Sequence, residues 1–76
     1  MNNIVELYPR YDSAKSFYSK ATVEELDDKY ILRSYGKAVA EFDRKAGEYN
    51  SYGKFTQTTT RHQKEFRQQC EAGMWK

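Results

Sequence analysis

Only twelve of the 76 residues are Leu, Ile, Val or Phe, and that scarcity decides what kind of core the chain can build. Such a fraction marks a disordered sequence when high net charge goes with it. Here 13 Lys and Arg stand against 11 Asp and Glu, for a formal charge of +2. Seven Tyr and Trp75 replace the missing apolar area, because rings bury large surfaces and lose few rotamers. The expectation is one domain over residues 1–76, near the lower size limit for an independent core. A chain this small has little room for a catalytic cleft of the usual kind.

The clearest periodicity lies in the last third, where the charge excess also sits: residues 54–76 sum to +3, residues 1–26 to −1 and residues 27–53 to zero. His62, Phe66 and Cys70 recur every fourth residue, Thr58-Thr59-Thr60 offers a capping hydroxyl, and Gly73 suits the left-handed residue that ends a helix. This predicts a helix over 58–72 and a tail over 73–76. Residues 20–53 alternate short β-prone runs (20–26, 29–35, 37–42 and 48–52) with turn residues at Asp27-Asp28, Gly36 and 43–47. The fold class is therefore α+β, an antiparallel meander of about four strands packed against one C-terminal helix. The covered face should carry Ala21, Val23, Ile31 or Leu32, Val39 or Phe42, and Tyr49, with Phe66, Val23 and Phe17 in the helix-to-sheet core. Residues 1–19 read as an irregular aromatic segment along a sheet edge, since Pro9 interrupts the run Ile4-Val5-Glu6-Leu7.

Several function classes lack their chemistry. No apolar run approaches the ~20 residues of a membrane span, and the first residues do not read as a signal peptide; the expectation is a cytoplasmic protein with no membrane association. Cys70 and His62 are the sole Cys and His, so an intrachain disulfide and a Cys/His zinc site both fail on ligand count. No cofactor motif is present, and neither metal nor cofactor is expected. His62 is the first candidate for acid–base work, and with Arg61 and Tyr11 it would make a small metal-independent ribonuclease. The stronger reading is a half-buried structural histidine bonded to a strand carbonyl. Glu65 and Glu71 count only as breaks in the basic helix.

Two groups of residues carry a resemblance. The stretch Tyr8-Pro9-Arg10-Tyr11-Asp12-Ser13 with Lys15-Ser16-Phe17-Tyr18 and Lys20-Ala21, then Leu32, Ser34-Tyr35 and Val39-Ala40, and finally Thr58-Thr59, Arg61-His62 and Glu65-Phe66, resembles a small domain of unknown function found in bacteria, their phages and other mobile elements. The resemblance covers residues 8 to about 67. It implies a single α+β domain of an accessory protein in a bacterial host cell and brings no catalytic residues. The helix is more polar than that pattern at Thr60, Gln63 and Arg67.

What remains is binding. Ser34-Tyr35-Gly36-Lys37 recurs as Ser51-Tyr52-Gly53-Lys54, which in a meander puts both copies at one end of the sheet; strand closure and turn chemistry are the stronger explanation of the repeat, ahead of a shared binding edge. Rings and cations interleave at Tyr8, Arg10, Tyr11 and Lys15. With Tyr35, Lys37, Tyr52, Lys54, Arg61, Lys64 and Trp75 they form the candidate partner-binding set, because Tyr, Arg and Trp are the usual anchors of protein interfaces. The expected function is a non-catalytic accessory factor that binds a host or defence protein stoichiometrically. Single-stranded nucleic acid is the alternative partner, and a homodimer is the other assembly open to the chain.

Overall fold

Each run of alternating residues between turn formers becomes a strand, and the capped, glycine-terminated stretch becomes the helix. The computed structural model describes residues 3–75; Met1, Asn2 and Lys76, the last residue of the expected tail, lie outside the described residues. The elements are β1 (Asn3–Glu6), β2 (Ala21–Glu25), β3 (Lys29–Ser34), β4 (Lys37–Asp43), β5 (Glu48–Ser51) and α1 (Gln57–Glu71). The strands form one antiparallel sheet in sequence order, and α1 packs on one face, so the α+β meander is as expected.

The sheet has five strands instead of four. The missed strand is β1, in the segment read as irregular, where Val5 pairs with Val23 and Glu6 with Thr22. Pro9 does not disrupt it, because the strand ends three residues earlier and needs no amide from Pro9. Leu7 continues the alignment by donating its N–H to Ala21 O at 2.9 Å, and its side chain is fully buried.

Register explains why the strand period looked ambiguous. Leu32 faces Ala40 and Arg33 faces Ala38, so Val39 is the extra residue of a β-bulge, which re-aims a side chain and breaks the two-residue period. Val39 and Ala40 are therefore both buried, and Phe42 beyond them is too. Leu32 opposes Val23 and belongs to the helix-facing core. Ile31 faces the other way, flanked by Glu24 and Glu41, which pair with Arg33 (2.9 Å) and Lys29 (3.8 Å). Phe66, Val23 and Phe17 all lie in the core, with Tyr49 packed against it.

The helix starts one residue earlier than expected. Thr56, not the Thr58–Thr60 run, caps it: its hydroxyl accepts the Thr59 N–H. At the other end Gly73 (φ 79°) takes the left-handed turn, with Gly73 N–H bonded to Cys70 O and Met74 N–H to Gln69 O. Those two bonds are a Schellman motif, and it folds the tail back so that Trp75 packs on Tyr30 and Phe66 at ring distances of 5.2 and 5.7 Å.

Removing the observed cap should cost about 1 kcal/mol, the usual loss when a capping hydroxyl becomes a methyl. Thr56→Ala is expected to lower the urea midpoint accordingly, whereas Thr58→Ala and Thr60→Ala, both at exposed positions, should stay within about 0.5 kcal/mol of the parent.

Candidate functional site

Two tight turns build the site from backbone upward. In Phe17-Tyr18-Ser19-Lys20 the Lys20 N–H donates to Phe17 O at 3.0 Å, and Tyr18 and Ser19 have φ of 54° and 62°. In Ser34-Tyr35-Gly36-Lys37, the β3–β4 hairpin, Tyr35 and Gly36 have φ of 55° and 80°. Positive φ at both central residues defines the type I′ turn, whose twist suits a hairpin but which favours Asn or Gly. A tyrosine there is strained by roughly 1–2 kcal/mol. The turns adjoin, since the Tyr35 N–H donates to Lys20 O at 2.8 Å. They raise Tyr18 (78% exposed) and Tyr35 (57% exposed) above one corner of the fold.

Beneath those rings lies His62, with the Phe17 ring at 4.5 Å and the Tyr35 ring at 6.1 Å. The imidazole is 2% exposed. Its Nδ1 meets the Ser34 hydroxyl at 2.9 Å, and Ser34 Oγ meets Thr59 Oγ1 at 3.0 Å; the bonding partner is a strand hydroxyl and not the expected strand carbonyl. Thr56 in turn donates to Thr59 Oγ1 at 3.3 Å. Continued in that sense, from Thr56 through Thr59 and Ser34, the hydroxyl chain ends on Nδ1 as an acceptor; run the other way it ends on Thr56, an exposed residue whose hydroxyl proton meets solvent. The first direction puts the imidazole proton on Nε2, the second on Nδ1. No described group bonds Nε2, yet no buried side-chain nitrogen or oxygen among the described residues lacks a partner. Nε2 therefore reaches open space, a pocket of about 280 Å³ that His62 lines with Phe17, Tyr18, Lys20, Tyr35 and Arg61 among others. Burial holds the imidazole below its ordinary value of 6.5, neighbouring Arg61 adds to this, and Asp12 opposes it. The ring is neutral at pH 7.

The loop that closes the pocket is held by a second buried group. Glu65 is 1% exposed, and its carboxylate accepts the backbone N–H groups of Arg10 (2.9 Å), Tyr11 (2.9 Å) and Asp12 (2.7 Å). Successive amides converging on an anion form a nest. Gln69 adds a fourth bond to Glu65 at 2.6 Å, donates to Tyr8 O at 2.7 Å and accepts from Trp75 Nε1 at 2.9 Å. Burial raises the Glu65 pKa, but the bonds from Gln69 and the three amides outweigh it and the net shift is downward. Asp12, once placed, pairs with Arg61 and accepts the Ala14 N–H at 2.9 Å, which carries the chain on towards Phe17. Its pKa falls to about 2, first through the Arg61 hydrogen bond and then through Ala14.

The candidate binding residues fall into separate groups. Tyr11, Arg61 and Lys64 line one polar hollow of about 260 Å³; Arg61 also borders the His62 pocket, so the two adjoin. Tyr35 and Lys37 border a groove with Phe55, and Tyr8, Arg10 and Trp75 a smaller hollow. Trp75 is half-buried and turned into the core. Tyr52 sits on the opposite sheet face: burial raises its pKa and a hydrogen bond to Glu41 contributes, so the two repeat copies share an end of the sheet but not a face. Lys15 and Lys54 are exposed and border none of these hollows.

Sequence reasoning gave Tyr18, Lys20 and Glu65 no place among the site residues. A signal for the first two exists. Phe17-Tyr18-Ser19-Lys20 precedes Ser34-Tyr35-Gly36-Lys37 by the same seventeen residues that separate the latter from Ser51-Tyr52-Gly53-Lys54. The third copy does not form an I′ turn, as only Gly53 has positive φ and its N–H bonds Ser51 Oγ at 3.2 Å. Nothing local marks Glu65, whose three backbone partners lie more than fifty residues away. Among the described residues no group of His, Cys, Asp and Glu could hold a metal, and burial pushes the Cys70 thiol up to about 12.

A family model described as a family of unknown function (DUF8033) matches residues 5–74. No curated protein and no solved structure matches the chain.

Stability should fall with acid in two stages. The His62 pKa is lower folded than unfolded, so its contribution is complete above the ordinary value of 6.5 and declines as pH falls through the folded value. Glu65 and Asp12 follow the same sign lower down, with support complete above their ordinary values of 4.5 and 3.8 and lost towards about 2 for Asp12. Urea titrations from pH 8 to pH 2 should show both stages. His62→Gln should erase the first; Glu65→Gln should shrink the second and cost about 3 kcal/mol at pH 7, because buried amides lose a charged acceptor.

Proposed function

The chain belongs to the family of unknown function DUF8033, and we propose that it is a non-catalytic interaction module that binds a protein partner through the tyrosine-rimmed corner around His62. The observation that carries this reading is the pair of adjoining I′ turns holding Tyr18 and Tyr35 outward at positive φ. Strained non-glycine residues cluster where a protein clamps ligands, and tyrosines make strong interface anchors because they offer a large contact area at a small cost in rotamer freedom. Tyr11, 52% exposed, extends the surface across Arg61, and its loop is fixed by Glu65. A stoichiometric accessory role in a phage or mobile element fits such a module and rests on the resemblance alone.

The helix cations speak against phosphate binding as the main driving force. Arg61 is paired with Asp12, and Arg67 with Glu71 at 3.3 Å, which leaves Lys64 as the helix cation without an ion pair among the described residues. Nor does His62 have the company of a phosphodiesterase site, since its one hydrogen-bond partner among the described residues is a neutral serine.

Affinity capture from a bacterial lysate, with and without nuclease, tests this reading. A partner protein should survive nuclease, be retained as salt rises, and be lost by a Tyr18→Ala/Tyr35→Ala variant, each truncation costing about 2 kcal/mol if the ring is central. Capture that disappears with nuclease, or that weakens with a salt slope near −0.7 per phosphate contact on a single strand, would instead assign the surface to nucleic acid.

A further inference from the structure

We propose that the His62 pocket is a receptor for a single carboxylate, carried by an acidic side chain of the protein partner. This rests on the interaction reading above and names the group that the site takes. Three features of the pocket select the ligand. Its floor presents His62 Nε2, which no described group bonds and which is the donor when the Thr56–Thr59–Ser34 hydroxyl chain ends on Nδ1. Its charged lining is Lys20 and Arg61, with no acid. Its walls are the rings of Phe17, Tyr18 and Tyr35.

Charge counting favours a carboxylate over a phosphate. Arg61 is already engaged by Asp12, so one cation remains, and the Lys20 ammonium stands 5.4 Å from the Tyr35 ring centroid. One neutral N–H and one ammonium match the two oxygens of a monoanion; phosphate sites gather more donors and more positive charge. Size agrees, because about 280 Å³ lies at the small end of ligand cavities and suits one side chain. The outward Tyr18 and Tyr35 rings add a flat rim that a protein surface covers and a small metabolite does not. His62 takes part as a neutral donor, held in orientation by Ser34, and undergoes no proton transfer.

Because His62 is the sole histidine, its ring nitrogens can be read directly by ¹⁵N NMR on the intact chain. The free protein should show Nε2 protonated and Nδ1 as acceptor. N-acetylglutamate amide should shift Nε2 saturably, with a dissociation constant on the order of 1–10 mM for so small a fragment, whereas its neutral glutamine counterpart should not. Lys20→Gln, at an exposed position and thus compatible with folding, should weaken the carboxylate about fivefold or more while leaving the tautomer unchanged. An Nδ1-protonated ring, no saturable shift, equal response to the glutamine analogue, or tighter binding of inorganic phosphate would each overturn the assignment. If the carboxylate fails to bind while the double tyrosine variant still loses a protein partner, the interaction reading stands and this inference falls.

Discussion

The Glu65 carboxylate is the point on which the arrangement turns. A buried charge is costly unless it is fully hydrogen-bonded, and here four donors meet it: three consecutive backbone amides and Gln69. One side chain thereby fixes residues 10–12 against the middle of α1. Through Gln69 the same bond set reaches Tyr8 and Trp75, tying both ends of the described chain to one turn of helix. Asp12, placed by this anchor, engages Arg61 and starts the turn that delivers Phe17 to His62. Without Glu65 the pocket would lose the wall that residues 14–18 provide.

The helix-to-sheet interface is correspondingly unusual in composition. Of the buried positions on α1, Phe66 and Cys70 are apolar while Thr59, His62, Gln63, Glu65 and Gln69 are polar. A polar stripe of this kind is worse than an apolar one when half satisfied and specific when fully satisfied. Gln63 shows how: its amide donates to Val39 O at 2.9 Å, the carbonyl of the bulge residue, and to Ser51 Oγ at 3.0 Å. The irregularity in β4 and the polar residue on α1 belong to one interaction. That explains how a chain with twelve large aliphatic and Phe residues still closes a core, with hydrogen bonds setting the position and rings filling the space.

Legibility in the sequence followed the range of the forces involved. The helix, its glycine terminus, the hairpin turns and the core residues Phe66, Val23 and Phe17 rest on local rules and could be read. Strand β1 could not, because its partner is set by the long return through residues 7–20, and four residues before a proline carry too weak a period. The helix cap shifted from Thr58–Thr60 to Thr56 because capping depends on which hydroxyl leaves the helical backbone first, and four threonines within five residues offer equivalent choices. At the candidate site, Tyr35 was visible through its repeat and His62 through its uniqueness. Tyr18 was not recognised, since an I′ turn built on Tyr-Ser violates the residue preference by which such turns are found, and Glu65 resembled any surface charge on an amphipathic helix.

Amide hydrogen exchange at Arg10, Tyr11 and Asp12 tests the central claim most directly. These three N–H groups lie in a loop, outside any strand or helix, and only the Glu65 bonds protect them. They should exchange as slowly as the amides of α1 in the parent chain and lose that protection in Glu65→Gln while the β2–β4 amides keep theirs. Exchange of all three at the rate of an unstructured loop in the parent chain would show that Glu65 does not hold the segment, and the account of how the pocket is built would fail with it.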